Sequence, residues 1–134
     1  MTEAKRLFKL TVLGGTFAIV RLAAYSTPPP WAMSDGFFSL TRTSDELSVV
    51  CPEDRVPEGI PAGRGWRALK VQGPFALSEV GVLATLSAIL AAAGVSLFAI
   101  STFDTDYLLV QGEQLNAAVA ALRTAGHRVD SERV

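Results

Sequence analysis

Several short runs of the chain alternate between apolar and polar positions. From Leu7 to Leu13, Phe8, Leu10 and Val12 fall on one side and Lys9 and Thr11 on the other. That period of two predicts a half-buried strand. Gly14-Gly15 followed by Phe17–Leu22 (FAIVRL) predicts a hairpin with its return strand. Phe37–Thr41 and Glu46–Cys51 predict two more strands, joined by Arg42 to Asp45. Before them, Ser26–Asp35 (STPPPWAMSD) holds three consecutive prolines, which forbid the interior of a strand or a helix. A loop ending in one helical turn at Trp31–Ser34 is expected there. The stretch Pro52–Gly65 is rich in proline, glycine and charge and marks a boundary between two halves.

The second half alternates again at Trp66–Val71, and Gly73-Pro74 ends that strand. Ser78 is the expected N-cap of a helix running to Ala93, with Glu79 in the first turn where the helix dipole favours an acid. Val82, Leu83, Leu86, Ile89 and Leu90 share one face, and Gly94 supplies the stop. Val95–Thr102 and Tyr107–Val110 predict strands around a turn at Phe103–Asp106. Leu115, Val119 and Leu122 mark a second helix with Gly126 after it, and His127–Val129 suits a short last strand. The pattern is β-β-loop-β-β over residues 1–61 and β-α-β-β-α with a final strand over 62–134. It predicts an α+β fold, an antiparallel sheet with helices on one face. The proline-rich loop stands where the first half would need a helix. One sheet face then lacks cover and needs the other half or a second copy of the chain, with Trp31 as the natural plug.

Charge sharpens one part of this picture. Val80 to Phe103 contains no charged residue, long enough for a membrane span. Ser87, Ser96, Ser101 and Thr102 interrupt it, alanine fills much of it, and strand alternation begins after Gly94. A helix and strand sharing one core is the expectation, with no membrane association. The start of the chain does not read as a leader, because Lys9 breaks its apolar run. Net charge is −1, and no basic footprint for nucleic acid is present. The single cysteine, Cys51, forms no internal disulfide, which suits a reducing, cytoplasmic setting.

Candidate chemistry is sparse. One histidine and one cysteine, far apart, make no nucleophilic or metal constellation. No catalytic residue, metal site or cofactor is expected. His127, beside Arg128, reads as a surface residue, and Cys51 as a small buried hydrophobe. Two segments remain. Gly73 to Gly81 (GPFALSEVG) delivers the chain to a helix start, where unpartnered N–H groups favour a carboxylate and Glu79 can receive an ammonium. An α-amino acid carries both groups on adjacent atoms; equally, Ser78-Glu79 can be a helix cap and nothing more. Ser101 to Asp106 (STFDTD) reads either as a polar hairpin turn or as a lip for the same ligand, with Asp104 or Asp106 facing its cation.

At these residues the chain resembles the ACT-domain family of small-molecule regulatory modules. The resemblance rests on FFSLTRTSDELSVVCPEDRVP (Phe37–Pro57), on WRALKVQGPFALSEVGVLATLSAILAAAGVSLFAISTFDTDYLLV (Trp66–Val110), and on the final helix. It is closest to compact bacterial proteins with two ACT-like halves, and is similar to the ACT repeats of animal cytosolic arginine sensors. It implies a ferredoxin-like sheet, two tandem ACT-like halves, and a homodimer. It also implies amino-acid binding at an interface between ACT units, read by a regulated protein partner. By position it places Gly73, Pro74, Phe75, Ser78, Glu79, Val80 and Gly81 in the ligand loop, and Thr102, Phe103 and Asp104 on the strand end that closes the pocket. STPPPWAMSDG replaces the first helix of the first half, so a loop-and-helix site is not expected there. An interaction module with a vestigial pocket is the alternative function.

Overall fold

A computed structural model describes residues 6–76 and 78–132. The first five residues, weighed above as a leader, and Leu77 of the candidate loop lie outside them. The elements run β1 Lys9–Val12, β2 Phe17–Leu22, β3 Ser39–Arg42, β4 Leu47–Pro52, β5 Gly63–Val71, α1 Val82–Ala92, β6 Leu97–Ser101, β7 Asp106–Gln111, α2 Leu115–Thr124 and β8 Arg128–Ser131. The fold is α+β, and the chain divides into two compact units. One is Gly15–Trp66; the other joins the described residues up to Gly14 with those from Arg67 on.

In the Gly15–Trp66 unit, β4 lies between β3 and β2, and β2 pairs in turn with the first residues of β5, all antiparallel. Alternation along these strands turns Ala18, Val20, Leu47, Val49 and Cys51 to one side, where they are buried. A single 3-10 turn, Pro30–Ala32, stands where a helix would cover that side. Its Ala32 is buried in the cluster, and Trp31 packs against it.

The other unit carries the β-α-β-β-α-β sequence of a ferredoxin-like fold in β5-α1-β6-β7-α2-β8. Its sheet contains one further strand. β1 lies between β5 and β8, antiparallel to the first and parallel to the second. This corrects the expected hairpin at Gly14-Gly15. β1 pairs with β5 and β8, whereas β2 pairs with β4 and β5. The glycines allow the turn, with Gly15 at φ 81°, but the partners of both strands come from far along the chain.

The core of this unit lies between the sheet and its two helices. Leu10, Val12, Leu69, Val71, Leu108 and Val110 from the strands meet Val82, Leu86 and Leu90 from α1 and Ala118 and Leu122 from α2. Burying each of the larger side chains contributes roughly 1.5–3 kcal/mol. Both helices stop the same way. In α1 the N–H of Gly94 donates to Ala91 and that of Val95 to Leu90, with Gly94 at φ 75°. In α2 the N–H of Gly126 donates to Arg123 and that of His127 to Leu122, with Gly126 at φ 100°. This double bond around a left-handed glycine satisfies carbonyls that the helix leaves open.

Two further expectations change. His127 is buried, not exposed: the Phe8 N–H donates to its Nδ1 at 2.9 Å and the two rings stack. The C-terminal stop of α2 turns it inward beside the start of β1. The helix also begins at Val82 rather than after Ser78, because Gly81 takes φ 88° and breaks the helical path. Among the described residues no helix is long and apolar enough to cross a membrane.

Candidate functional site

Val71 ends β5, and the chain passes through a cis Gly73-Pro74 bond before reaching α1. This loop is tied to the β6–β7 turn. The N–H of Phe75 donates to the carbonyl of Asp104 at 2.7 Å. The hydroxyl of Thr105, which is buried, donates to the carbonyl of Val71 at 2.6 Å. Gly73 is needed at this crossing, since a Cβ there would lie 2.8 Å from the Asp104 carbonyl oxygen.

The turn holds itself together as well. The Thr102 N–H donates to the Thr105 carbonyl at 2.8 Å, and the Thr105 N–H to the Thr102 hydroxyl oxygen at 3.3 Å. The Ser101 hydroxyl donates to Asp106 Oδ1 at 2.5 Å. Asp104 is exposed at the tip beside Phe103, whose side chain is 76% exposed.

The start of α1 faces this turn. No side chain caps it, and the Thr85 N–H donates back to the Gly81 carbonyl at 2.9 Å. The N–H groups of Val82, Leu83 and Ala84 precede that first intrahelical bond and form the positive end of the helix. Between helix start and turn lies an open groove of about 310 Å3. Its polar lining is Glu79, Ser101, Thr102, Asp104, Thr105 and Asp106.

Glu79 already has a cation. Its carboxylate pairs with Arg6, whose guanidinium carbon sits 5.1 Å from the Phe8 ring centre and 5.6 Å from that of Phe75. The two rings meet edge to face at 6.0 Å. A guanidinium held by an acid and two aromatic faces is well satisfied.

Of the residues picked from the sequence, Phe75, Glu79, Gly81, Thr102, Phe103 and Asp104 line the groove. Gly73 and Pro74 line a second cavity, together with Asp104. Ser78 and Val80 line neither, and Val80 is 87% exposed. Sequence reading missed two contributors. Thr105 looked like a local turn residue, yet its hydroxyl reaches Val71, far back in the chain. Arg6 lay in a short basic run that gave no sign of an acid partner in the loop.

Comparison with known proteins defines the class. The ACT-domain family model matches residues 62–124, and a model described as an N-terminal domain matches residues 15–59. A solved protein from Agobacterium tumefaciens is 41% identical and superposes with a TM-score of 0.91 over 97% of both chains. The ligand-free regulatory subunit of aspartate kinase from Thermus thermophilus shares the fold, with a TM-score of 0.61 at 12% identity over 87% of this chain and 96% of its own. The human cytosolic arginine sensor for mTORC1 subunit 1 is 28% identical over 109 residues, 75% of this chain and 32% of that protein. The chain thus spans about a third of the length of the curated relatives it matches. Residues 62–124 of the chain are an ACT domain.

Proposed function

We propose that this module binds an α-amino acid in the groove between the start of α1 and the β6–β7 turn. The observation that carries the reading is the 2.7 Å bond from Phe75 to Asp104, which holds loop and turn together beside an uncapped helix start. The carboxylate takes the N–H groups of Val82, Leu83 and Ala84, where the helix dipole favours an anion. The ammonium takes Asp104, because Glu79 is engaged by Arg6. A groove of about 310 Å3 is at the small end of ligand pockets, as an amino acid requires. The likeness to proteins named for arginine sensing supports an amino acid as the ligand class.

The protein acts in the cytoplasm, catalyses nothing, and pairs as a homodimer. Phe103 and Val80, the exposed apolar side chains beside the groove, are where a second ACT unit closes over the ligand. The Gly15–Trp66 unit is a degenerate half that has no loop-and-helix site, and the unit that joins the described residues up to Gly14 with those from Arg67 on reads the ligand. Ligand binding shifts the pairing, and a protein partner reads the shift. The same two exposed side chains also favour a second reading, a protein-interaction module whose groove holds nothing.

Thermal-shift measurements with the common amino acids at millimolar concentration separate the two. A ligand raises the melting temperature, and Asp104→Asn lowers its affinity by about tenfold, the effect of losing one charge-assisted contact. A flat response across the panel supports the interaction module instead.

A further inference from the structure

His127, the one histidine of the chain, is a buried titratable group outside the lining of the groove. We propose that it is a proton-operated latch: protonation of its ring releases the residues ahead of β1 and, with them, the clasp of Arg6 on the Phe75–Glu79 loop. The device stands whether or not the groove takes a ligand.

The backbone settles which form of the ring the fold holds. The Phe8 N–H can only donate, so the Nδ1 that it meets at 2.9 Å carries a lone pair. An imidazolium has a proton on each nitrogen and cannot accept that bond. The ring is 3% exposed, so protonation also places a charge out of water.

Ring contacts carry the change to the loop. The His127 ring stacks on Phe8, with centres 5.6 Å apart. Phe8 meets Phe75 edge to face, and Arg6 lies against both rings while pairing with Glu79. Phe8 is thus the shared support of latch and clasp. An imidazolium brings a second cation to a ring that a guanidinium already occupies. The far side of Phe8 stays fixed. Its carbonyl accepts from the Arg128 N–H at 3.0 Å, and Lys9–Val12 remain paired with β8 and β5. Protonation therefore loosens Arg6 and Leu7 and leaves the strand in the sheet.

The charged groups on the surrounding elements do not offset this. They are Arg6 and Lys9 at the start of the chain, Glu79 in the loop, Arg123 at the end of α2, and Arg128 and Asp130 in β8; α1 carries none. Lys9 alternates to the opposite sheet face from Phe8. The Arg123 guanidinium donates to the Val129 carbonyl at 2.7 Å. Both carboxylates are engaged, Glu79 by Arg6 and Asp130 by the Arg128 Nε.

The test is an NMR titration of the full chain from about pH 8 to about pH 5, a window that spans the ordinary histidine range and stays above that of carboxylates. The His127 ring and the Phe8 amide report the latch; the Phe75 and Glu79 amides report the loop. One shared titration curve is expected for all four. His127→Asn, whose amide oxygen replaces Nδ1 as acceptor and does not titrate, should flatten it. Arg6→Gln leaves the latch in place, so it should keep the Phe8 curve and remove that of Glu79. Loop amides that stay flat while His127 titrates overturn the proposal. So do a ring that does not titrate in this window and a Glu79 curve that either variant leaves unchanged.

Discussion

Gly73 and Asp104 are in backbone contact: the Asp104 carbonyl oxygen occupies space 2.8 Å from where a Gly73 side chain would begin. That approach brings the two candidate segments together. Gly73→Ala forces them apart, because the obstructing atom is backbone and cannot rotate aside. The expected loss is about 1–3 kcal/mol, as for other overpacked positions. Urea denaturation checks it; a variant as stable as the parent would mean the crossing yields freely.

Thr105 secures the same crossing from the other side. Thr105→Val keeps the shape and removes the hydroxyl that donates to Val71 at 2.6 Å. A buried carbonyl then loses its partner, at about 1–3 kcal/mol. Thr105→Ser retains the bond and should recover most of that loss in the same denaturation series.

Burial raises the Cys51 thiol above its ordinary pKa of 9.0; Arg55 opposes the rise, Asp54 adds to it, and Arg64 opposes it. The folded chain therefore keeps this proton to higher pH than the unfolded chain. The associated stability is complete below the unfolded thiol's pKa and is lost as pH rises through the folded one. Against Cys51→Ala, the parent should lose ground as pH rises above the unfolded thiol's pKa. Thiol labelling at neutral pH should also wait on unfolding. Rapid labelling of the native protein would contradict the burial.

Local pattern made much of this legible. β2 occupies Phe17–Leu22 as its alternation predicts, and Gly94 and Gly126 end their helices as expected. The prolines around Trp31 allow one turn and no more. What escaped was non-local or conformational. Nothing in Lys9–Val12 shows that its partners are β5 and β8. Gly81 could have been an ordinary helix residue, and only its φ of 88° moves the helix start past Ser78-Glu79. That displacement changes the chemistry of the site. Glu79 leaves the helix and joins Arg6, and the rest of the groove's polar lining comes from the turn. His127 escaped for a similar reason, since its partner Phe8 lies at the other end of the chain.

The central claim is that an amino acid binds between the start of α1 and the β6–β7 turn. Backbone amide shifts, followed by NMR while amino acids are titrated in turn, test it most directly. The account predicts that one of them moves the signals of Phe75, Val82 to Ala84 and Thr102 to Asp104 together, with a single saturation curve. Shifts confined to another region, or none with any amino acid, would contradict it.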